Sequence, residues 1–525
     1  MPNAADGDAA GQASGGVLVA GSGAAGLTAA LAAAVRGARV TLTERAAGLG
    51  GTTALSFGRV WVPPREDPDA AEYLTAVYGD RHPHMIGAFL AYGPRMTEFV
   101  QRHSPLRFSR CHGYPDYHPG LPGASPGGRA MDIVPVASET LAGQVRRPPE
   151  YLPMTHADWE RWRYPPRYDR DVLGDRLRRG ILAGGAALAA ALLDGVIRSG
   201  VRVLTGTRLS GVRLGPDGAV DGARLTGPDG HAMMLSVRAV IMATGGFDRD
   251  TKLRGRFLPG AVAATGAPPA NTGDALRIAE ALGAALGNTG QAWWMPMMPV
   301  PGEALDGKPY YRSLIRERAL PRQVIVNAAG RRFADEALPY NEFVKAMLGG
   351  HGNAPAWMIF DEGYRQRYSA PSPAVRSASL PDLAKAIGVP PDAVTHTVTR
   401  WNTRCAAGAD PDFGRGSNAY ERYMGDPAAH PNPNLGPIDH PPFYAVKVLP
   451  GTIGTKGGPV TDTNARVLRE DGSPIRGLYA AGNASAFWTS DGYPGPGATL
   501  GVAMTMGYQA GRHAGRRITI PGRSS

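Results

Sequence analysis

Short apolar runs alternate with glycine-rich turns and Ala/Leu-rich segments along this chain. The run Val17–Ala20 is typical of a buried strand, and the segment Leu27–Arg36 has the composition of a buried helix. After Gly37, the run Arg39–Thr43 predicts a second strand. The order strand, turn, helix and strand favours an α/β fold.

The turn between the first strand and the helix carries three glycines in G-x-G-x-x-G spacing. Gly21 allows a tight turn, Gly23 leaves room for a pyrophosphate, and Gly26 lets the helix pack closely on the sheet. Glu44 ends the second strand 18 residues beyond Gly26, where a carboxylate can bind a ribose diol. The alternative is an accidental glycine-rich turn, but the flanking elements favour a dinucleotide at the helix N-terminus.

Further small-residue turns favour FAD over NAD. Gly50 and Gly51 offer a second close backbone approach, and Thr52 and Thr53 supply hydroxyls. Downstream, an apolar strand runs into a small-residue turn twice more, in Ala239–Asp248 and in Gly477–Asn483.

These signals lie far apart in the chain, so the nucleotide domain must be discontinuous. We expect a disordered lead at 1–15, a first part of the FAD-binding domain at 16–285, an inserted catalytic or substrate domain at 286–449, and a closing part at 450–519. Within the insert, the pattern predicts a strand at Gln323–Asn327 and helices at Leu380–Ile387 and Pro391–Thr403.

Composition narrows the chemistry. The two cysteines, Cys111 and Cys405, exclude a disulfide framework and a multi-cysteine metal site, and we expect no metal. The net charge of +11 comes from scattered arginines, which does not favour nucleic acid as a partner. The first residues lack the basic and apolar regions of a signal peptide, so we expect a cytoplasmic location. Glycines inside the apolar stretch Val17–Val35 argue against a transmembrane segment.

Beyond these patterns, the chain resembles the fumarate reductase/succinate dehydrogenase flavoprotein superfamily and, within it, the 3-ketosteroid Δ1-dehydrogenases. The closer resemblance rests on five strings in the family's order: YPDYHPGLPG (Tyr114–Gly123), RRFADEALPYNEF (Arg331–Phe343), DPDFGRGSNAYERYMGDP (Asp410–Pro427), PNPNLGPI followed by PPFYAVKVLPGTIGTKGG, and GYPGPGATLGVAMTMGY (Gly492–Tyr508).

The resemblance implies a Rossmann-like α/β FAD-binding domain with an α+β insert. The segment after the double glycine contains no histidine, so we expect non-covalent FAD. His351 and His396 lie in no motif that would clamp a dicarboxylate, which disfavours a succinate or fumarate substrate. The expected cofactor contacts are Gly21, Ser22, Gly23, Ala24, Ala25, Gly26, Glu44, Arg45, Gly50, Gly51, Thr52, Thr53, Gly58, Gly245, Gly246, Asp274, Gly482, Asn483, Thr499 and Leu500.

Removing hydrogens from two adjacent carbons beside a ketone requires a base, a partner for the ketone oxygen and a hydride acceptor. By the resemblance, the Tyr493 hydroxyl and the Gly497 N–H bind the ketone oxygen as an oxyanion hole. Tyr340 is then the base, and Tyr117 is its helper. Tyr114 and His118 lie close to Tyr117 in sequence and are alternatives for the helper.

The surroundings of this set depart from the family pattern. Phe57 replaces a glycine, Pro459 replaces an aliphatic residue, and Phe487 and Trp488 add bulk before the ketone-binding loop. We therefore expect 1,2-dehydrogenation of a small apolar cyclic ketone, with a 3-ketosteroid or steroid-like polycyclic ketone as leading substrate and an unidentified electron acceptor. Two alternatives stay open: an FAD-dependent ene-reductase acting on an activated alkene, and a binding module that has lost its chemistry.

Overall fold

A computed structural model describes residues 15–163 and 168–519 of the chain. The predicted lead lies outside this part except for Gly15. The helices are α1 (Ala24–Ala34), α2 (Gly51–Leu55), α3 (Ala70–Tyr78), α4 (Pro83–His103), α5 (Glu139–Ala142), α6 (His156–Trp162), α7 (Arg170–Arg178), α8 (Gly184–Arg198), α9 (Thr251–Phe257), α10 (Asp274–Ala281), α11 (Tyr340–Gly349), α12 (Glu362–Arg367), α13 (Leu380–Ala386), α14 (Pro391–Ala406), α15 (Ala419–Met424) and α16 (Ala498–Thr519).

The strands are β1 (Gly16–Ala20), β2 (Val40–Thr43), β3 (Val60–Trp61), β4 (Phe108–Arg110), β5 (Ala130–Ile133), β6 (Val136–Ala137), β7 (Ile181–Leu182), β8 (Arg202–Leu204), β9 (Arg208–Leu214), β10 (Val220–Thr226), β11 (Ala232–Met242), β12 (Ala264–Thr265), β13 (Leu286–Gly287), β14 (Ala292–Leu305), β15 (Lys308–Ser313), β16 (Gln323–Val326), β17 (Ala356–Asp361), β18 (Val375–Ser377), β19 (Phe443–Thr455), β20 (Gly458–Pro459), β21 (Arg466–Leu468) and β22 (Pro474–Ala480).

The first large sheet carries the dinucleotide-type unit. Its strand order is β21-β22-β11-β1-β2-β8, with β9 and β10 attached to β11 as an antiparallel extension. Strands β22, β11, β1, β2 and β8 run parallel, and their carboxyl ends meet at one edge of the sheet. Strand β1, helix α1 and strand β2 follow one another in the chain and form the predicted α/β unit.

Small residues let helix α16 pack tightly against α1. A Cβ added at Gly507 would lie 2.2 Å from the Ala25 carbonyl oxygen, and one at Gly511 would lie 2.1 Å from the Ala29 oxygen. Because only glycine permits this approach, the C-terminal segment is held against the first helix. This contact joins the C-terminal helix to the first helix, as a discontinuous FAD-binding domain would require.

The second large sheet has the order β15-β14-β19-β17-β16, with β12 and β18 also paired to β19. Its long strand β19 ends at Thr455, whose hydroxyl oxygen accepts a hydrogen bond from the Phe247 N–H at 3.1 Å. The end of β19 is therefore fixed to the turn that follows β11. The domain limits at residues 286 and 449 stay a prediction.

The predicted elements agree with the structure to within a few residues. Helix α1 begins at Ala24 rather than Leu27, because the extended Gly23 is its N-cap and its carbonyl accepts from the Leu27 N–H. In the second sheet, β16 spans Gln323–Val326, and α13 and α14 follow where the pattern predicts helices. Within the described residues, no helix combines the length and apolarity that crossing a membrane requires.

Candidate active site

The first glycine turn lies at the carboxyl end of β1. Gly21 has a φ of 110°, and a Cβ there would lie 2.1 Å from the Ala243 oxygen, while a Cβ at Gly26 would lie 1.9 Å from the Gly21 oxygen. Close contacts with the protein's own backbone therefore require glycine at both positions. Gly23 differs, because an added Cβ would meet only Thr53 Oγ1 at 3.6 Å. The space above Gly23 is open, as a phosphate cradle requires.

Ser22 connects this turn to the other two nucleotide signals. Its hydroxyl donates to Glu44 Oε2 at 2.6 Å and accepts from the Gly50 N–H at 2.9 Å. The Ser22 N–H also donates to Glu44 at 3.1 Å. The Glu44 carboxylate thus lies beside the glycine turn, at the end of β2.

The double glycine faces the first turn directly. A Cβ added at Gly51 would lie 3.6 Å from the Gly23 Cα, and Thr53 Oγ1 accepts from the Ala24 N–H at 2.9 Å. The hydroxyl oxygen of Thr52 accepts from the Asn271 side chain at 3.2 Å. Two backbone turns with little side-chain bulk therefore face each other at the N-terminus of α1.

The downstream turns reach the same edge of the sheet. Gly245 and Gly482 have φ values of 76° and 67°, and a Cβ at Gly482 would lie 3.1 Å from Ala25 Cβ. Asn483 Oδ1 accepts from Trp293 Nε1 at 3.2 Å. Next to Gly245, the buried Thr244 hydroxyl has no hydrogen-bond partner among the described residues. Open glycine turns, an unpartnered hydroxyl and a helix N-terminus together fit a bound FAD.

Protein contacts account for several other predicted cofactor residues. A Cβ at Gly58 would lie 2.3 Å from the Gly184 carbonyl carbon, and a Cβ at Gly246 would lie 2.2 Å from Thr455 Oγ1. Asp274 is ion-paired with Arg208 at 2.6 Å and with Arg45 at 3.7 Å. A cofactor role for these residues stays a prediction.

Three of the four predicted catalytic residues form a buried tyrosine cluster. The ring centroids of Tyr117 and Tyr340 lie 5.4 Å apart, and Tyr493 lies 5.3 Å from each of them. The Tyr117 hydroxyl donates to Tyr340 Oη at 3.0 Å. Tyr340 begins α11, while Tyr493 precedes α16, so residues more than 100 positions apart meet here.

The loop that carries Tyr493 is fixed by its own backbone. The Pro494 oxygen accepts from the Tyr73 hydroxyl at 2.5 Å and from the Tyr117 N–H at 2.9 Å. Gly497 has a φ of 98°, and a Cβ there would lie 2.3 Å from the Arg59 oxygen. No described residue accepts a hydrogen bond from the Gly497 N–H. That N–H is free to bind an oxygen at the N-terminus of α16.

The two alternatives for the helper have other contacts. His118 Nε2 lies 3.2 Å from the Tyr493 carbonyl oxygen, and Tyr114 stacks on His156 with ring centroids 5.5 Å apart. Thr499 Oγ1 donates to the Tyr493 hydroxyl at 3.1 Å, while Leu500 lies half-buried beside it. Of Tyr114, Tyr117 and His118, only Tyr117 donates a hydrogen bond to the Tyr340 hydroxyl.

Burial controls the ionisation of the cluster. It raises the pKa of Tyr340 well above its usual value, and the hydrogen bond from Tyr117 acts in the opposite direction. Burial also raises the pKa of Tyr493, against the hydrogen bonds to Thr499 and Tyr340. Both phenols are therefore protonated at neutral pH, with Tyr117 favouring ionisation of Tyr340.

One buried cation near the cluster was missed by sequence reasoning. Lys456 is fully buried, and its Nζ donates to the Ser490 and Gly492 oxygens at 2.8 Å each. The same atom lies 3.8 Å from the ring centroid of Trp293, which contacts Tyr493 at 4.7 Å. The lone lysine in the string GTKGG was the available signal. By contrast, the bulky Phe57 side chain is 63% exposed.

Comparison with known proteins identifies the family of this chain. The FAD binding domain family matches residues 16–500. The chain is 39% identical to a 3-oxosteroid 1-dehydrogenase of Mycobacterium tuberculosis, over 95% of this chain and 99% of the relative. It is also 39% identical to a 4-oxocyclohexanecarboxylate 2-dehydrogenase of Sinomonas cyclohexanicum, over 94% and 92%.

A solved structure shows the same fold. The 3-ketosteroid Δ1-dehydrogenase of Sterolibacterium denitrificans, crystallised with 1,4-androstadiene-3,17-dione, matches with a TM-score of 0.89 and 33% identity over 95% of this chain and 99% of that one. The predicted fold class and FAD cofactor are confirmed. The chain therefore belongs to the family of FAD-binding flavoproteins that contains the 3-oxosteroid 1-dehydrogenases, and it is an FAD-dependent oxidoreductase.

Proposed function

We propose that this protein catalyses 1,2-dehydrogenation of a ring ketone, with a 3-ketosteroid as the leading substrate. The observation that carries the proposal is the cluster of Tyr117, Tyr340 and Tyr493 beside the free Gly497 N–H. The names of the relatives from Mycobacterium and Sterolibacterium support the steroid class.

Tyr340 takes the proton from the carbon next to the ketone. In the phenolate form its Oη accepts the hydrogen bond from Tyr117 at 3.0 Å, which stabilises the negative charge. Because burial raises the pKa of Tyr340, its phenolate is a strong base that is scarce at neutral pH. The hydrogen bond from Tyr117 lowers the pKa of Tyr340 and so increases the fraction of phenolate.

Tyr493 and Gly497 hold the ketone oxygen. The Tyr493 hydroxyl accepts from Thr499, so its own proton is free to donate to a substrate oxygen. The Gly497 N–H lies at the N-terminus of α16, where the helix dipole favours negative charge. As the α-proton leaves, both donors stabilise the enolate oxygen that forms.

FAD, when bound, supplies the hydride acceptor for the neighbouring carbon. The residues that would hold it are those of the open turns around Gly23 and Gly51 and of the turn at Gly482, with Glu44 beside the first turn. Burial of the tyrosine cluster keeps water away from the reacting carbons.

A second substrate class is a compact ring ketone with a carboxylate. The Sinomonas relative, named for such a substrate, is as similar to this chain as the Mycobacterium relative is. A structural observation also favours it: Arg59, next to Gly497, has no carboxylate partner within 4.0 Å among the described residues.

The test is a ketone panel with the purified flavoprotein and an artificial electron acceptor. The panel contains androst-4-ene-3,17-dione, a saturated 3-ketosteroid and substituted cyclohexanones, with mass spectrometry of each product. Loss of two hydrogens from a ketone supports the proposal. Reduction of an enone by the pre-reduced enzyme, without desaturation of any ketone, would establish the ene-reductase alternative.

A further inference from the structure

Arg59 is a cation whose hydrogen-bonding capacity is largely unused. Its Nη2 lies 2.9 Å from His156 Nδ1. Its Nε is buried and has no partner, and no described residue accepts from Nη1. No carboxylate among the described residues lies within ion-pair distance of this guanidinium. A guanidinium has five N–H donors, so most of them have no protein acceptor.

Arg318 and Arg129 show how a buried arginine of this chain is satisfied. Arg318 donates to the oxygens of Leu314, Glu336 and Leu338. Arg129 is ion-paired with Asp67 at 2.7 Å and with Asp116 at 2.6 Å. Arg59 differs from these two residues because most of its donors have no protein acceptor, and a partly desolvated charge gains from an added acceptor.

No neighbour of Arg59 among the described residues forms an ion pair with it, and the Asp132 charge acts on it only from a longer distance. Burial lowers the pKa of His156 to about 3, so the imidazole is neutral and accepts the hydrogen bond without balancing the charge. The Asp132 carboxylate accepts from the His156 N–H at 2.5 Å and stays beyond ion-pair distance from Arg59. Farther along the cluster, the Glu160 carboxylate bonds to the Tyr423 hydroxyl.

Arg59 lies beside the ketone-binding groups. Its carbonyl oxygen contacts the Gly497 position, and the Trp61 N–H donates to the Gly497 oxygen at 3.1 Å. The guanidinium carbon lies 5.6 Å from the ring centroid of Tyr114, three positions before Tyr117. The charge therefore lies beside Tyr114, while the Arg59 backbone lies beside Gly497.

We propose that Arg59 binds a carboxylate on the ring-ketone substrate. A carboxylate is the anion whose planar, two-oxygen shape matches the unused guanidinium donors. A 3-ketosteroid has no carboxylate to pair with this charge, so the assignment favours the second substrate class, a ring ketone with a carboxylate. The assignment rests on the proposed ring-ketone dehydrogenation and names the substrate class within it.

The first experiment compares 4-oxocyclohexanecarboxylate with its methyl ester as substrates of the FAD-loaded enzyme. A hydrogen-bonded ion pair predicts a kcat/KM ratio of acid to ester above unity that falls about 10- to 100-fold in Arg59→Met. Arg59→Lys retains the positive charge but loses the two parallel N–H donors of the guanidinium. Its acid-to-ester ratio should therefore lie between those of the wild type and Arg59→Met. Arg65→Met, which removes an exposed arginine paired with Glu98, keeps the wild-type ratio.

A second measurement needs no variant. Cyclohexanecarboxylate should inhibit turnover of the ester at concentrations about 10-fold or more below those of the neutral carboxamide. Equal inhibition by both, or an acid-to-ester ratio that Arg59→Met does not change, overturns the assignment of Arg59 while ketone desaturation still stands. Failure of the wild-type holoenzyme to desaturate any ketone overturns the proposed function itself.

Discussion

Replacing Tyr117 by phenylalanine isolates the hydrogen bond that the proposed mechanism needs most. The substitution removes the hydroxyl that donates to Tyr340 Oη at 3.0 Å and keeps the ring that packs against Tyr340 and Tyr493. A hydrogen bond to a charged group contributes about 1.5–3 kcal/mol. Since about 1.4 kcal/mol corresponds to one pKa unit, the pKa of Tyr340 should rise by about one to two units.

The pH dependence of kcat/KM reports this change directly. Because the phenolate is the active form and burial already raises the pKa of Tyr340, kcat/KM of the wild type should rise with pH from about pH 6 to about pH 10. Tyr117→Phe should keep this slope and lower kcat/KM about 10- to 100-fold at each pH below the pKa.

The matched control is Tyr420→Phe. Tyr420 packs on Tyr117 with ring centroids 5.1 Å apart, and its hydroxyl makes no hydrogen bond to Tyr340. It should retain the wild-type pH profile. If Tyr117→Phe stays within about threefold of the wild type across this pH range, Tyr117 does not assist the base and the reasoning from the hydrogen bond is refuted.

Three further substitutions test separate parts of the site. Tyr493→Phe removes an enolate donor and should lower kcat about 100- to 1000-fold with FAD still bound; near-normal turnover would contradict the oxyanion hole. Gly497→Ala places a Cβ 2.3 Å from the Arg59 oxygen at a φ of 98°, so it should cost about 1–3 kcal/mol of stability in denaturant unfolding, and an unchanged midpoint would contradict this. Gly23→Val should abolish flavin absorbance and leave the circular dichroism spectrum intact, since the nearest atom to an added Cβ is 3.6 Å away; retained flavin would show that the cradle lies elsewhere.

The glycine turns and the tyrosines could be predicted because their signals are local. Gly21, Gly23 and Gly26 lie within six residues, and Tyr340 and Tyr493 lie inside strings of distinctive composition. The resemblance then implies which distant strings meet, and the structure brings Tyr117, Tyr340 and Tyr493 together. Strand and helix limits followed from apolar runs with errors of a few residues.

The rest depends on contacts between distant parts of the chain. A charged residue in sequence carries no mark of its burial, so the string GTKGG did not show that the Ser490 and Gly492 oxygens surround the Nζ of Lys456. The same holds for Arg59, because the sequence does not show that its Nε has no hydrogen-bond partner in the folded chain. Gly58 shows a different limit: its packing against Gly184 is sufficient to require glycine, so the glycine alone does not indicate a cofactor contact, and that role stays a prediction.

The central claim is most directly tested by the mass of the product from a saturated ring ketone. The FAD-loaded enzyme is incubated with a saturated 3-ketosteroid and, separately, with 4-oxocyclohexanecarboxylate, each with an artificial electron acceptor. The expected product has lost two hydrogens and has a new double bond next to the ketone, and its yield falls strongly in Tyr340→Phe. No desaturated product from either ketone by the flavin-containing enzyme would contradict it.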